Sequence, residues 1–438
     1  MIKIINFILV HFLFSSIVLA QVSNTSPNIL FIAVDDLKPT IGAFGDDLAH
    51  TPNIDLLSEN AAVFLNNHTQ QAVCGPSRAS LLTGKRPDYT QVRDLKTKMR
   101  DRVPEIVTIP QYLKNKGYKT VGLGKIFDPR CVDEFRDKPS WSVPYMPEHK
   151  FEYPTAYGPP AMGFYQNPEI KAHIQQLRNK AKANGVKNLG KYLRDTYKPP
   201  FESSDAPDDA YVDGALAVYA NKFLDEFKTN PSEPFFLAVG FKRPHLPFTA
   251  PKKYWDMYDT SKFNVAEFQE HSSNGPSIAY HSSGELRSYI TPDISYEISK
   301  NKRVILSEEF QKNLIHGYYA STSFIDAQIG KIVNKLKETG LDQNTIIVIW
   351  GDHGWHLGDH GLWNKHSNFE QATRSPLIIF DPRVNKKIQI ESPTEFLDIF
   401  PTLCAATGLQ IPDNLDGSNL MPLINGEQTS VKPFAVSQ

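Results

Sequence analysis

Cysteine and methionine are scarce in this chain of 438 residues, which contains three of the former and six of the latter. Three cysteines cannot build the disulfide framework of a small secreted scaffold, and we expect Cys131 and Cys404 to remain unpaired. An excess of charge is also lacking, because the formal net charge is -1. That balance excludes a nucleic-acid binder held by bulk charge. After residue 20, no apolar run is long enough to span a bilayer.

The first 20 residues, MIKIINFILVHFLFSSIVLA, are predicted to be a secretory signal peptide. A lysine precedes the apolar run, and the run ends at Val18-Leu19-Ala20, before Gln21, in the manner of a cleavage site. A membrane anchor is the alternative, but the stretch is short and polar residues interrupt it. The mature chain is therefore expected to be exported, either periplasmic or secreted, without stable membrane insertion.

Five short apolar runs predict the strands of one sheet. They lack polar alternation, which is typical of strands buried on both faces of a mostly parallel sheet. Helical patterns separate them, including an amphipathic stretch from Phe324 to Leu336 with Gly340 as a stop. This alternation predicts an α/β fold whose large, mostly parallel central sheet is flanked by helices on both faces. The runs are NILFIAV (28–34), TVGLG (120–124), FFLAVGF (235–241), TIIVIW (345–350) and PLIIF (376–380).

The segment 126–232 is rich in proline and aromatic residues and is predicted to be an elaboration near the mouth of the functional site. Within it, residues 171–198 carry eight lysine or arginine side chains. One interpretation is a solvated helix face. The other is a basic lip that attracts a polyanionic substrate.

Reactive side chains follow four of the predicted strands. Open α/β sheets bind ligands at the carboxyl ends of their strands, so we expect these side chains to meet at one edge of the sheet. One such strand end is routine, whereas four in one chain indicate a functional site. The residues are Asp35, Asp36, Lys125, His245, Asp352 and His353.

The carboxylates among them predict a metal site. Asp35, Asp36 and Asp352 offer hard oxygen ligands, which suit Ca²⁺ or Mg²⁺ better than a soft metal. His353 could ligate the metal or hydrogen-bond the substrate. For the Asp-Asp pair alone, a turn or a helix cap is the alternative interpretation.

The basic residues predict an anionic substrate. Arg78, Lys125 and Lys365 can neutralise a tetrahedral anion. Together with a hard cation, they describe a hydrolase of phosphate or sulfate esters. His245, which lies between two prolines just past a buried strand, is predicted to be the general acid for the leaving alcohol. A structural histidine is the alternative for that position.

Cys74 lies in QQAVCGPSRASLLTG (70–84), at a predicted helix start. The residues alone leave a disulfide half, a metal ligand, a nucleophile or a modified residue open, although a thiolate beside a hard cation is a poor choice. Here the sequence resembles a family, because CGPSR with the trailing LLTG matches the C-x-P-S-R signature of the type I sulfatases. The resemblance extends from Pro27 to Gln438. It is closest to the iduronate-2-sulfatase-like branch, through AVGFKRPHLPF and GLWNKHSNF.

The resemblance implies an alkaline-phosphatase-like sulfatase fold and a modified cysteine. A formylglycine-generating enzyme would oxidise Cys74 to Cα-formylglycine (3-oxoalanine), whose hydrate is the nucleophile. The family implies one Ca²⁺, with Mg²⁺ as the alternative. The implied metal ligands are Asp35, Asp36, Cys74 in its oxidised form, Asp352 and His353.

The resemblance also assigns the anion-binding residues. Arg78 would hold the nucleophile and the sulfate group, and Lys125 and Lys365 would bind sulfate oxygens. His245 would bind sulfate or protonate the leaving group. The implied substrate is a sulfated oligosaccharide or polysaccharide.

Two departures from the family pattern stand out. The family usually has a histidine where this chain has Asp128, so Asp128 is predicted to serve as a base, or His356 or His68 to stand in near the substrate. The chain ends at KPFAVSQ, where relatives continue into a smaller antiparallel subdomain. We therefore expect a catalytic domain over 21–438 with the C-terminal subdomain largely missing or truncated.

Three hypotheses about function remain. The first is a sulfatase that acts on a sulfated carbohydrate of polysaccharide or glycosaminoglycan type. The second is a phosphoester or phosphonate hydrolase of the same superfamily, which the metal ligands alone would allow. The third is an inactive carbohydrate-binding relic, which is disfavoured by the joint presence of Cys74, Arg78, Asp352, His353 and Lys365.

Overall fold

The structure, a computed structural model, describes residues 26–301 and 303–438. The predicted signal peptide, residues 1–20, lies outside the described residues. Within those two ranges, no helix combines the length and the apolar composition that crossing a membrane requires.

A seven-stranded sheet forms the centre of the molecule, in the spatial order β7-β2-β6-β5-β1-β4-β3. Six of the strands run in one direction, and only β6 is antiparallel to its two neighbours. Every residue of β1, β4 and β5 is buried, which explains why these strands read as unbroken apolar runs. The strands are β1 (Asn28–Val34), β2 (Ala62–Phe64), β3 (Lys119–Gly124), β4 (Phe235–Phe241), β5 (Thr345–Gly351), β6 (Leu377–Phe380) and β7 (Ile388–Ile390).

Helices cover both faces of this sheet, as the sequence predicted. One hydrophobic core joins the sheet to α2, α3 and α8, and a second core joins the opposite face to α1, α6 and α7. The longer helices are α1 (Pro52–Ser58), α2 (Cys74–Thr83), α3 (Ile109–Asn115), α4 (Pro168–Ala183), α5 (Leu189–Thr196), α6 (Val212–Lys228), α7 (Glu308–Thr339) and α8 (Ile399–Ala406).

Shorter elements complete the fold. Four-residue helices span Pro87–Thr90, Met99–Arg102, Lys252–Trp255, Glu370–Thr373 and Met421–Ile424. Two-stranded sheets pair Asn67–His68 with Thr394–Glu395, Phe201–Ser204 with Phe248–Pro251, Glu297–Ile298 with Val304–Ile305, and His356–Leu357 with Trp363–Asn364.

The longest helix, α7, begins well before the stretch that the sequence pattern predicted. The Ser307 side chain caps it by accepting a hydrogen bond from the backbone of Phe310, and Gly340 ends it with a left-handed φ of 74°. Its interior carboxylate, Asp326, accepts hydrogen bonds from the backbone of Asn53 and Ile54 and thereby caps α1. Tertiary hydrogen bonds thus tie two helices of the same face together.

The elaboration over 126–232 holds α4 and α5 around a small apolar cluster of Tyr165, Ile174 and Leu193. Five of the eight basic side chains in residues 171–198 are exposed, and four of those five lie on α4 or α5, which favours the solvated-face interpretation for them. Lys198 differs, because it lines a cavity beside the strand ends.

The cysteines behave as expected, since all three are unpaired. After α8, the described chain contains the helix Met421–Ile424 and no strand. The predicted domain boundaries, including the truncated C-terminal subdomain, stay a prediction.

Candidate active site

The four reactive strand ends lie side by side because β3, β4, β1 and β5 are consecutive in the sheet. In the register, Gly124 pairs with Gly240, and Val34 pairs with Phe241 on one side and Gly351 on the other. The residues that follow these strands therefore emerge at one edge. The structure thus brings together the six strand-end residues that the sequence singled out.

Asp36 sits in a left-handed backbone conformation, with φ at 62°. A non-glycine residue pays roughly 1–2 kcal/mol for that region, although aspartate tolerates it better than most residues. The Tyr318 hydroxyl donates to the Asp36 carbonyl at 2.7 Å, and the Asp36 amide donates to Asp352 Oδ1 at 2.9 Å. These bonds hold the turn that follows β1.

Four buried residues form a compact cluster of possible metal ligands. One ligand atom from each of Asp36, Cys74, Asp352 and His353 lies within 4.8 Å of all the others. Cys74 Sγ is 3.3 Å from His353 Nε2, while His353 Nδ1 faces the Gly354 carbonyl oxygen at 3.1 Å. Apart from the Cys74 sulfur, which is a soft donor, these oxygen and imidazole donors suit a hard divalent cation, and a carbonyl partner on the far ring nitrogen is a usual way to orient a ligating histidine. Asp36, Asp352 and His353 therefore fit such an ion, whereas Cys74 would fit it only with an oxygen in place of its sulfur.

A second group of possible ligands adjoins the first. Atoms of Asp35, Asp36 and His245 also lie within 4.8 Å of one another. Burial acts to raise the pKa of Asp35, but the charges of Lys125 and Arg78 outweigh it and hold that pKa well below its usual range. Asp35 is therefore available as an anionic oxygen ligand.

Arg78 is the structural centre of the cluster. It lies four residues after Cys74 in α2, so both side chains share one helix face. Its side chain is fully buried and donates to Asp352 Oδ2 at 2.8 Å and to Asp35 Oδ1 at 3.0 Å. It also donates to the carbonyl oxygens of Lys125 and Ile126. Burial would lower its pKa, but the two aspartates raise it, so the guanidinium stays charged.

Lys125 and Lys365 place two ammonium groups against the aspartates. Lys125 Nζ donates to Asp35 Oδ2 at 2.6 Å, and Lys365 Nζ lies 3.0 and 2.9 Å from the two oxygens of Asp36. Burial acts to lower the pKa of each lysine, but the neighbouring carboxylates raise both pKa values above the usual range. Cys74, in contrast, has its thiol pKa raised well above normal, chiefly by burial.

His245 faces the same site with both ring nitrogens engaged. Its Nδ1 is 2.6 Å from the Leu246 carbonyl oxygen, and its Nε2 is 2.9 Å from Glu285 Oε1 and 3.8 Å from Asp36 Oδ2. Each ring nitrogen therefore has an oxygen atom within hydrogen-bond distance.

Glu285 belongs to the site, and the sequence analysis missed it. Its carboxylate lies 3.0 Å from Lys365 Nζ as well as 2.9 Å from His245 Nε2. Burial acts to raise its pKa, but Lys365 and His245 hold that pKa well below the usual range. Glu285 lies in an irregular segment after Ser283, where no strand or helix pattern marks it. No signal in the local sequence would have found it.

Asp128 lies beside Lys125, but a neighbouring residue holds its carboxylate. Arg130 donates from its backbone amide, Nε and Nη2 to the two Asp128 oxygens at 2.7–3.0 Å. Burial acts to raise the pKa of Asp128, but the Arg130 hydrogen bonds and the Lys125 charge lower it to about 2. A carboxylate with that pKa accepts protons weakly at neutral pH. The predicted role of Asp128 as a base stays a prediction.

The two alternative histidines, His356 and His68, make their hydrogen bonds outside the cluster. His356 is fully buried, its Nε2 is 2.8 Å from Ser367 Oγ, and burial lowers its pKa well below the usual value. His68 Nε2 is 2.8 Å from Asn66 Oδ1. No hydrogen bond described for either ring reaches Cys74, Lys125 or His245. A substrate contact for His356 also stays a prediction.

A cavity of about 280 Å³ opens beside the cluster. Its wall includes the predicted metal ligand Asp35 and the catalytic candidates Lys125 and His245, together with residues from the elaboration. Aromatic side chains, Phe127, Phe164 and Tyr289, form part of the lining. Such a mixture of apolar surface and a few charged groups is typical of a small-molecule site.

Comparison with known proteins decides the family. A family model described as Sulfatase matches residues 27–409. The chain belongs to the sulfatase family. The expected family resemblance is thereby confirmed, and the protein is a hydrolase of sulfuric esters.

Relatives of this sulfatase include the iduronate 2-sulfatase of Mus musculus, which is 33% identical over a match covering 88% of this chain and 69% of that protein. A sulfatase of Formosa agariphila is 31% identical, and the match covers 94% of this chain and 75% of that protein.

Solved structures share the fold. A phosphonate monoester hydrolase from Silicibacter pomeroyi has a TM-score of 0.62 and 25% identity, and the match covers 92% of this chain and 77% of that one. A protein in complex with its substrate D-glucosamine-2-N,6-O-disulfate has a TM-score of 0.67, with 93% of this chain and 81% of that one covered. The latter is 19% identical, so its likeness concerns the fold alone.

Proposed function

We propose that this sulfatase hydrolyses sulfate esters on a sulfated carbohydrate, with a formylglycine formed from Cys74 as nucleophile and one divalent cation. The observation that carries the proposal is the convergence of buried Cys74, at the start of α2, with the metal-ligand cluster and two lysines. The cation would be Ca²⁺, with Mg²⁺ as the alternative. Asp35, Asp36, Asp352, His353 and the oxidised Cys74 would hold it.

The bound cation would offset the repulsion between the carboxylates and stabilise charge on the reacting oxygens. Hydrated formylglycine would supply one hydroxyl that attacks sulfur while the alcohol leaves, and a second whose loss of a proton expels sulfate and restores the aldehyde. A maturing enzyme of the formylglycine-generating type is therefore a required partner. A helix N-terminus beneath the nucleophile favours the anion that binds there.

The side chains of the chain itself would bind and orient the sulfate group. Lys125 and Lys365 already lie against Asp35 and Asp36, so their ammonium groups flank the position of the nucleophile. His245 reaches the same cluster from the end of β4 and would donate a proton to the leaving alcohol. Arg78 would hold Asp35, Asp352 and Cys74 in their relative positions.

The substrate is proposed to be a polysaccharide or an oligosaccharide of glycosaminoglycan type. Two facts support this choice: the relatedness to an iduronate 2-sulfatase, and a cavity beside the cluster with aromatic walls on which a sugar ring can pack. Export, to the periplasm or the medium, is part of the same proposal because the N-terminal sequence has the pattern of a signal peptide.

A phosphonate or phosphoester hydrolase is the second candidate. The likeness to a phosphonate monoester hydrolase favours it, and the hard metal ligands would serve it equally well. The two candidates differ in kcat/KM, since a site built for a singly charged sulfate ester should prefer it to a phosphate monoester. The inactive relic is the third candidate.

The test is sulfate release by the chain produced with a formylglycine-generating enzyme and supplied with Ca²⁺. Conversion of Cys74 is first confirmed by the mass of its peptide. The substrates are 2-sulfated uronate disaccharides, oligosaccharides from sulfated algal polysaccharides, and matched phosphate and phosphonate esters. We expect release from at least one sulfated sugar and a lower kcat/KM on the phosphorus esters.

Cys74→Ala is the matched control, because it removes the nucleophile from a position that is already buried. It should abolish release while binding of the sugar persists. If no sulfated substrate released sulfate although Cys74 had been converted, the proposed activity would be rejected. A higher kcat/KM on the phosphorus esters would favour the second candidate.

A further inference from the structure

The cavity beside the catalytic cluster carries more positive than negative charge. Its three carboxylates are each paired: Asp35 with Lys125, Asp128 with Arg130, and Glu148 with Lys242. Additional cations line the same space and come from different parts of the chain. They are Arg136, Lys198 and Arg243, of which Arg243 is paired with the buried Asp213 at 3.7 Å.

In the described part of the chain, Lys198 has no direct counter-ion, although the charge of Glu285 acts on it from farther away. No carboxylate lies within ion-pair distance of it among residues 26–301 and 303–438, and its Nζ sits 3.6 Å from the centre of the Tyr289 ring. Lys198 Nζ also donates a long hydrogen bond to Ser288 Oγ, at 3.4 Å. Burial lowers the pKa of Lys198 to about 8, so the ammonium is partly desolvated. An anion bound in the cavity would give the ammonium group a favourable partner in place of the water that burial removed.

The backbone fixes the position of Lys198. Its amide donates to the Ile290 carbonyl at 2.6 Å, and the Ile290 amide donates back to the Lys198 carbonyl at 2.9 Å. This pair ties the end of the elaboration to the segment that follows Tyr289. The lysine is therefore held beside the cavity before any ligand arrives.

Arg130 adds a second fixed cation. Asp128 engages its Nε and Nη2, while the side chain is 53% exposed and no described residue receives a hydrogen bond from its Nη1. Asp128 thus acts as a positioning residue that orients the guanidinium. The remaining donors of a guanidinium held in this way suit a planar or tetrahedral oxyanion.

We propose that this cavity is a second anion-binding subsite, in which Lys198 and Arg130, assisted by Arg136, bind a carboxylate or a further sulfate on the sugar whose sulfate ester is cleaved. The inference rests on the proposed function and names the class of substrate: a saccharide with two anionic groups within one or two rings. Phe164 and Tyr289 belong to the same lining and offer aromatic surface for the sugar ring.

The experiment measures binding without turnover, in the full chain carrying Cys74→Ala, by titration calorimetry in Ca²⁺ buffer. Three probes share one scissile sulfate on a methyl pyranoside: the first has no other charge, the second has a uronate carboxylate, and the third has a second sulfate. We expect one of the two dianions to bind about tenfold more tightly than the monoanion, the scale of one charge-assisted hydrogen bond. The preferred dianion identifies the group that the subsite takes.

Lys198→Gln should remove most of that preference. Lys187→Gln is the matched control, because it also removes one positive charge from the basic segment but at an exposed position outside the cavity. Lys187→Gln should keep the preference for the dianion. If the basic residues acted through bulk charge instead, both substitutions would weaken that preference. Arg130→Gln tests the second cation in the same way.

Equal binding of the three probes, or a preference that survives Lys198→Gln, would overturn the subsite. Melting curves confirm that each variant is folded. Because binding is read without turnover, this result is separate from the sulfate-release assay, whose failure would reject the proposed activity instead.

Discussion

Replacement of Arg78 by methionine should destabilise the fold strongly. The guanidinium is fully buried and serves two carboxylates, Asp35 and Asp352, and two backbone carbonyl groups. Methionine keeps an unbranched, flexible side chain but removes the charge and all five donors. Asp352 would lose the guanidinium that binds its Oδ2, Asp35 would keep only Lys125, and the carbonyl oxygens of Lys125 and Ile126 would lose a donor.

The magnitude follows from the burial of both partners. Removing one member of a buried ion pair costs about 3–5 kcal/mol, because the other charge stays desolvated. We expect Arg78→Met to lower the free energy of unfolding by that amount. Arg78→Lys keeps the charge but lacks the planar fork, so one ammonium cannot serve both aspartates and both carbonyls. It should cost roughly 2 kcal/mol.

The assay is urea unfolding followed by tryptophan fluorescence in metal-free buffer, so that no added cation compensates the carboxylates. Arg93→Met is the matched control, because Arg93 pairs with Asp88 on the surface, where their side chains are 58% and 71% exposed. That variant should leave the transition unchanged. An Arg78→Met protein that unfolds within roughly 1 kcal/mol of the parent would refute the reasoning, since it would mean that the network is not held by the guanidinium.

Three further expectations follow. Gly240→Ala should lower both the melting temperature and sulfate release, because an added Cβ would lie 2.3 Å from the backbone of Lys125. Gly190→Ala should change neither, because its Cβ would meet the flexible end of Arg194 at 3.3 Å and Asn188 Oδ1 at an ordinary 3.9 Å. Burial raises the pKa of Asp326 to about 6, because the folded state favours the protonated carboxyl group. The contribution of this group to the free energy of unfolding is therefore complete below about pH 4 and is lost as the pH rises through 6. Melting curves across that window should show this component in the parent and not in Asp326→Asn. Ca²⁺ should raise the melting temperature, a chelator should reverse the effect, and Asp352→Asn should remove most of it.

The central strands were predictable because burial on both faces leaves an unbroken apolar run, and all five predicted runs are strands of the sheet. β2 and β7 escaped prediction, since three residues carry no readable period. The orientation of β6 was equally invisible, because an apolar run does not encode its direction. Only pairing with β5 and β2 sets it antiparallel.

The site was predictable where strand ends supply it, and less so elsewhere. Asp35, Lys125 and Asp352 follow β1, β3 and β5, which lie within four consecutive strands of the sheet, so the topology brings them together. Glu285 comes from an irregular loop, and its partner Lys365 lies 80 residues away in the chain. Arg130 was overlooked for a different reason. The sequence drew attention to Asp128 as a base, whereas the fold pairs the two side chains with each other.

The charge of the cluster explains why an anionic ester would bind there. Four carboxylates, from Asp35, Asp36, Asp352 and Glu285, face three permanent cations, from Arg78, Lys125 and Lys365. These seven groups sum to -1, and the proton that His245 needs as the proposed general acid brings the sum to zero. One divalent cation would then leave the cluster positive, in a low-dielectric site where unbalanced charge is costly. A bound sulfate or phosphate ester would restore the balance, so the fixed charges favour an anionic substrate, and the kcat/KM comparison decides between the two esters.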